Sequence, residues 1–203
     1  MEFKKRELRK MIKGKPLYNV FPDQLNSEEE IEKNVRRLFD QLNKSDQLIC
    51  EGEFDHYGSG YASFVEFFCF KKDGSAILSK SYYEEDAVIS LDMEGIVVYV
   101  SRVAPLAVFG MGTPLKYIQE EDGKEMYSGM SSLGVDTINQ VPERFESMVK
   151  EIENRLHESG YLIGDQAYLA QPLPFKADIP TMLTMPDFGE EYTIFDAVFY
   201  WSD

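Results

Sequence analysis

The residues best suited to chemistry in this sequence lie in one short segment, EGEFDH, at positions 51–56. Glu51, Glu53 and Asp55 alternate along it, and His56, one of two histidines in the chain, follows them. Alternate positions of a strand share one face, so the three carboxylates would lie together beside the imidazole. Such a group can act as a general acid or base, or bind a divalent cation. A hydrolase-type enzyme, with or without a metal ion, is therefore one hypothesis.

The same segment also has a purely structural interpretation, which the sequence favours. Lys71, Lys72 or Lys80, on neighbouring predicted strands, would neutralise the carboxylates as ordinary cross-strand pairs. Residues 58–60, Gly-Ser-Gly, suit a bend between two strands. A nucleophile elbow would require Gly-x-Ser-x-Gly between a strand and a helix, and here a strand-like segment follows. On this interpretation the segment is a hairpin, and we expect neither a metal site nor a cofactor.

The other reactive side chains form no catalytic constellation in the sequence. His157 falls in the last turn of a predicted helix, where an imidazolium complements the helix dipole. Cys50 and Cys69 lie among apolar residues of two predicted strands, which raises the pKa of a thiol. We expect two buried thiols rather than a disulfide, and the sequence leaves open whether the two cysteines are adjacent. No His-x-x-x-His, Cys-x-x-Cys or His-x-Glu spacing predicts a zinc site.

Two amphipathic helices are predicted on either side of a strand-rich region. Residues 27–30, Ser-Glu-Glu-Glu, have the composition of a capping box, and apolar residues recur at helical spacing from Ile31 to Leu42. The second helix begins near Pro142 and ends at Gly160. Residues 2–13 predict a third, basic helix.

Strands joined by turns are predicted for the rest of the chain. Short connections around Gly74, Gly95 and Gly123 predict antiparallel pairing, because a parallel pair needs a long crossover. The segment from Gly160 to Phe175 is predicted to be extended. The predicted strands are rich in β-branched and aromatic residues, and they are LICEGEF, YASFVEFFCF, SAILSKSY, AVISL, IVVYVSRV, LKYIQ, EMYSGM and YTIFDAVFYW. In the last of these, alternation places Phe195, Ala197, Phe199 and Trp201 on one face.

These elements together predict an α+β fold in which a largely antiparallel twisted sheet packs against two main helices. A short basic N-terminal helix or arm, residues 1–15, precedes them. The chain of 203 residues, 43% of them hydrophobic, is long enough to bury one large core, so residues 1–203 are predicted to form a single domain.

The charge of the chain is strongly uneven and indicates the kind of partner. The formal net charge is −15, and because residues 1–15 carry +5, residues 16–203 carry −20. A body with this much negative charge repels phosphate groups, which excludes most nucleic-acid binding. The same charge attracts basic proteins. No apolar run is long enough to cross a bilayer, and the N-terminus lacks an apolar signal core, so we expect a cytoplasmic protein with no membrane contact. The candidate partner-binding carboxylates are Glu84, Glu85, Asp86, Glu120, Glu121, Asp122, Glu190 and Glu191.

The C-terminal third carries a resemblance to a known class of proteins. It consists of a helix, the segment HESGYLIGDQAYLAQPLP, a proline-bearing loop and a closing strand, YTIFDAVFYWSD. This pattern resembles small acidic α+β immunity proteins of bacterial polymorphic-toxin systems. The resemblance implies a stoichiometric inhibitor that binds a toxin and catalyses nothing, and it assigns no role to an individual residue. The leading hypothesis is thus a toxin-neutralising, protein-binding domain; the alternatives are the hydrolase-type enzyme and a structural or oligomerising module.

Overall fold

The architecture is taken from a computed structural model, which describes residues 1–58, 60–83, 87–121, 123–128, 132–183 and 191–202. Its α-helices are α1 (Lys5–Met11), α2 (Glu28–Leu42), α3 (Glu146–Glu158), α4 (Gln166–Leu169) and α5 (Ile194–Val198). Its strands are β1 (Leu48–Glu53), β2 (Tyr61–Ala62), β3 (Phe64–Lys71), β4 (Ile77–Tyr83), β5 (Val88–Met93), β6 (Gly95–Ser101), β7 (Leu106–Gly112), β8 (Leu115–Gln119), β9 (Glu125–Ser128), β10 (Leu162–Ile163) and β11 (Trp201–Ser202). Short 3-10 turns lie at His56–Gly58 and Glu143–Phe145. The predicted α+β class is confirmed.

A five-stranded sheet in the order β1-β3-β6-β7-β10 forms the centre of the fold. Its pairs are antiparallel except for the parallel pair of β7 and β10. Helices α2 and α3 cover one face, and α1 and α5 contribute to the core on the other. Because both faces are covered, β6 is buried along its whole length and β3 along its first six residues.

Helix α2 begins where the capping signal predicts. The Ser27 side chain accepts a hydrogen bond from the Glu30 amide at 3.2 Å, which satisfies one of the free donors of the first turn. Its apolar stripe is buried against the central sheet. The amide of Asn34, also buried, donates to the Ser159 carbonyl at 2.8 Å and so joins α2 to the end of α3.

Two of the three predicted tight connections do not join paired strands. A separate four-stranded sheet has the order β4-β5-β8-β9, and the connections around Gly74 and Gly95 carry the chain into this sheet and out of it. Only the connection around Gly123 joins an antiparallel pair, β8 and β9. Turn residues bend the chain but do not specify its next partner. β3 and β4 differ in burial: the first six residues of β3 are buried, whereas β4 is exposed along its whole length.

The predicted closing strand is wrong. Residues 194–198 form α5, and only β11, paired with β2, is extended. Thr193 caps the helix: its hydroxyl accepts from the Asp196 amide at 3.4 Å, and the Asp196 carboxylate accepts from the Thr193 amide at 2.7 Å. Residues 194–200 are all buried, so the alternation of residue types in this segment does not separate a buried face from a solvent-exposed one.

The extended segment predicted after α3 is also only partly extended. It contains the short strand β10, and then α4 begins behind Asp165, whose carboxylate accepts from the Tyr168 amide at 2.7 Å. Strand β7, which the sequence analysis did not predict, pairs with β6. No helix in the described part of the chain combines the length and the apolar character needed to cross a membrane.

Candidate functional site: an acidic cleft

The carboxylates of segment 51–56 do not form the predicted cluster. Glu51 pairs with Lys116 of β8, not with any of the three lysines that the sequence suggested. Glu53 lies opposite Glu66 of β3, and Asp55 lies beyond the end of β1 on an exposed loop. Within the described ranges, no group of three His, Cys, Asp or Glu side chains could share a metal ion. β1 and β3 pair antiparallel, as the hairpin interpretation predicts, but their connection contains a 3-10 turn and β2. Ser59, the centre of the predicted bend, lies outside the described residues.

A cleft of about 560 Å³ lies between the loop that follows β1, of which residues 54–58 and 60–62 are described, and the first turns of α2. The segment after α1 forms another part of its wall. The residues that line it are Gly14, Pro16, Glu28, Glu29, Ile31, Glu32, Phe54, Asp55, His56, Gly58, Gly60, Tyr61, Ala62 and Arg102. Two members of the predicted site, Asp55 and His56, therefore reach this cleft, while Glu51 and Glu53 do not line it.

Arg102, just past the end of β6, holds the loop in place. Its guanidinium donates to the carbonyl oxygens of Phe54 and Phe64, each at 2.7 Å, and to that of Ala62 at 3.3 Å. It also donates to the Glu32 carboxylate at 3.2 Å. One side chain thus fixes both ends of the loop and ties them to α2, a task suited to the planar fork of arginine. The cleft is preformed for this reason.

His56 forms part of the cleft wall, with its ring packed into the protein. It is 2% exposed, and its ring makes edge contacts with Phe64 and Trp201, with centroids 5.0 and 5.3 Å apart. Burial, together with the nearby Arg102 guanidinium, lowers the pKa of His56 to about 4. The imidazole is therefore neutral at physiological pH. Its φ of 46° lies in the left-handed region, which non-glycine residues seldom adopt.

Two of the four carboxylates that line the cleft are neutralised by neighbours. Glu29 pairs with Lys33 at 2.7 Å, and Glu32 pairs with Arg36 at 2.9 Å as well as with Arg102. Arg36 also lies over the Phe54 ring, 4.3 Å from its centroid, and covers that side of the loop. These pairs leave little room for a further cation beside Glu29 or Glu32.

The other two carboxylates define the free charge of the cleft. In the part of the chain that the structure describes, neither Glu28 nor Asp55 has an ion-pair partner, and both are exposed. The ring of Tyr61, 41% exposed, lies in the same wall. The site therefore presents two anionic groups and an aromatic surface, which together suit a cationic group.

A second unusual carboxyl group lies inside the central sheet. Glu66 in β3 is 6% exposed and lies opposite Glu53 on one side and Tyr99 on the other. Burial, and the negative charge of Glu53, raise the pKa of Glu66 to about 8, although a hydrogen bond with Tyr99 opposes the shift. The Tyr99 hydroxyl also accepts from the Leu133 amide at 3.0 Å. Glu66 is therefore protonated at neutral pH.

The predicted partner-binding carboxylates are divided between described and undescribed residues. Glu120, Glu121 and Glu191 are exposed, and Glu120 accepts from the Tyr82 hydroxyl at 2.5 Å. Glu84, Glu85, Asp86, Asp122 and Glu190 lie outside the described residues. His157 is exposed in the last turn of α3, as predicted.

The sequence does not predict the acidic wall that α2 contributes to the cleft, or the role of Arg102. The acidic first turn of α2 predicts a helix cap and nothing more. The single signal for Arg102 is a cation two positions after the apolar run of residues 96–100. Comparison with protein-family models, curated proteins and solved structures gives no match for this chain. Its function is therefore inferred from the chemistry of the cleft.

Proposed function

We propose that this chain is a non-catalytic protein-binding domain whose acidic cleft receives a basic side chain of its partner, and that the partner is a toxin domain neutralised in the complex. The observation that carries the proposal is the free charge of the cleft. Glu28 and Asp55 line an open space of about 560 Å³ in a body with a formal charge of −20. A guanidinium or ammonium group between them would gain charge-assisted hydrogen bonds.

The Arg102 network supports a preformed binding site. Residues that a guanidinium already holds in place lose little conformational entropy when a partner binds, and that raises affinity for a given contact area. The acidic body would also accelerate association with a basic protein, in a manner that salt weakens. The choice of a toxin as partner comes from the resemblance of the C-terminal third to immunity proteins. That resemblance is weakened because residues 194–198 of its predicted closing strand form α5.

The test measures binding of the purified chain to a basic toxin domain encoded beside its gene. We expect a one-to-one complex, loss of toxin activity, and an affinity that falls between about 0.05 and 0.5 M salt. The double variant Glu28→Gln, Asp55→Asn should weaken binding at least about tenfold, as expected for loss of two charged contacts. The matched control Glu143→Gln, Asp46→Asn removes the same charge from exposed positions outside the cleft and should change binding less than about threefold.

A third variant, with Glu120, Glu121 and Glu191 changed to Gln, separates the cleft from the predicted acidic rim. If this variant weakens binding and the cleft variant does not, the partner binds at the rim and the cleft proposal is wrong. If no neighbouring gene encodes a toxin and pull-downs at low salt recover no basic protein, the toxin-neutralising function is wrong as well.

A hydrolase-type enzyme is the second candidate, because His56 and Asp55 line the same cleft and the imidazole is neutral. Two observations count against it: a base with a pKa of about 4 is weak at neutral pH, and Phe64 and Trp201 pack against the ring. The candidate predicts turnover of ester or phosphodiester substrates that His56→Asn abolishes. Its metal-dependent form requires a calorimetric signal with Mg²⁺, Mn²⁺ or Ca²⁺.

A further inference from the structure

Two cysteine thiols, distant in sequence, meet inside the central sheet. Cys50 of β1 and Cys69 of β3 are direct cross-strand partners, and their Sγ atoms lie 3.0 Å apart. Both side chains are free thiols and both are buried.

The backbone around Cys50 identifies the type of cross-strand site. The Cys50 amide donates to the Asn43 side-chain oxygen at 3.0 Å, so it points to the outer edge of β1 and away from Cys69. The pair is therefore a non-hydrogen-bonded pair, for which Cα atoms in antiparallel strands lie about 4.5 Å apart. That separation falls in the range found for disulfides, about 4.4 to 6.8 Å. A disulfide at this site requires no change of strand register.

The environment of the thiols determines how readily they react. Burial and the neighbouring Cys69 raise the pKa of the Cys50 thiol well above its ordinary value, so little thiolate forms at neutral pH. β1 is, however, an edge strand of the central sheet, and edge strands open more readily than central ones. A small oxidant is therefore better suited to this site than a bulky disulfide.

We propose that Cys50 and Cys69 are an oxidation site that forms an intramolecular disulfide with hydrogen peroxide as the oxidant. One thiolate attacks a peroxide oxygen and breaks the O–O bond; hydroxide leaves, takes up a proton and becomes water, and the attacking sulfur becomes a sulfenic acid. The second sulfur then attacks the sulfenic sulfur, the S–S bond forms, and the hydroxyl leaves as water with the remaining thiol proton. Overall, two thiols are oxidised to a disulfide and one peroxide is reduced to two waters.

The bond would fasten the edge strand next to the acidic cleft. β1 ends at Glu53, and the next residue, Phe54, begins the loop that lines the cleft. A bond between positions 50 and 69 closes the whole loop covalently, including the carbonyls that Arg102 holds. Oxidation would thus stabilise the wall of the cleft without adding a group to it.

The test treats the folded protein with a small excess of hydrogen peroxide and counts thiols after denaturation. We expect both thiols to disappear, the intact mass to fall by two hydrogen atoms, and one cross-linked peptide to join the segments of Cys50 and Cys69. Dithiothreitol should restore both thiols. Thermal unfolding of the oxidised protein should shift upward by about 7 to 13 °C, the increase that closure of a loop of this size gives in a chain of this length.

The single variants Cys50→Ser and Cys69→Ser serve as matched controls, because each retains one thiol that cannot form an intramolecular bond. The proposal is overturned if both wild-type thiols survive while the protein stays folded, or if oxidation gives sulfinic acid or a disulfide-linked dimer. It is also overturned if the internal disulfide forms only in denaturant, because the native geometry then plays no part. All of these results come from the wild-type protein, so unstable variants would not obscure them.

Discussion

Glu66→Gln is the substitution that most directly tests the burial of a carboxyl group in the central sheet. The side chain is 6% exposed, and its Oε2 atom finds no hydrogen-bond partner among the described residues. Glutamine has nearly the same shape and can still bond to Tyr99, but it cannot ionise. The substitution therefore removes the titration while it keeps most of the packing.

The magnitude follows from the raised pKa of Glu66, about 8 in the folded protein against 4.5 in an unfolded chain. Below pH 4.5 both states are protonated, and the group makes no pH-dependent contribution. Between pH 4.5 and 8 the unfolded chain releases its proton and the folded protein keeps it. The free energy of unfolding therefore falls by about 1.4 kcal/mol for each pH unit, or about 3 kcal/mol by pH 7. Above pH 8 the loss levels off.

The assay is urea denaturation of wild type and Glu66→Gln between pH 5 and pH 9. The difference between the two curves cancels every other titrating group, so it isolates this carboxyl. We expect the stability of the variant relative to wild type to rise steadily from pH 5 to about pH 8 and then level off. Glu121→Gln, at an exposed position, is the control and should give a flat difference. Parallel curves for wild type and Glu66→Gln would refute the burial and the raised pKa together.

Three further predictions concern the cleft and the sheet beside it. The pKa of His56 is lowered to about 4 from 6.5, so the free energy of unfolding falls as the pH falls from 6.5 to 4. In His56→Asn this fall should be smaller by about 2 kcal/mol at pH 4, as measured by urea denaturation. An unchanged dependence of stability on pH in this interval would contradict the prediction. Arg102→Lys should lower the free energy of unfolding by about 2 to 3 kcal/mol, because one ammonium cannot replace a guanidinium that donates to several carbonyls. The exposed control Lys33→Gln should lower it by less than about 0.5 kcal/mol. Equal losses would show that the hydrogen bonds of Arg102 do not stabilise the fold. Gly95→Ala should lower the free energy of unfolding, measured by thermal denaturation, by more than about 2 kcal/mol, because the new Cβ would lie 2.5 Å from the Cys69 carbonyl oxygen. An unchanged stability would show that β3 and β6 pack less tightly at this point.

The elements that the sequence determined are those whose signals are local. The start of α2 was predictable because Ser27 and Glu30 interact within one turn, and its buried face follows from spacing alone. The hairpin of β8 and β9 was predictable because the connection at Gly123 is short. In each case the physical cause lies within a few residues, so the sequence contains all of it.

The candidate site was predictable only in part. Asp55 and His56 were identified from residue type and do line the cleft. Their neighbours there are Glu28, more than twenty positions earlier in the chain, and Arg102, more than forty positions later. The capping box explains Glu28 only as part of a helix start, and no local motif marks Arg102.

The tertiary structure alone decided which strands pair, which carboxyl groups are buried and where the last segment folds. β3 and β4 are both predicted strands joined by a short connection, yet only β3 enters the central sheet, where helices cover both of its faces. Residues 194–198 alternate as a strand would, but they form a helix because the whole segment is buried and Thr193 caps it. The pKa values of Glu66 and His56 depend in the same way on distant residues that exclude water from them. Burial is a property of the assembled chain, and no local pattern of residues specifies it.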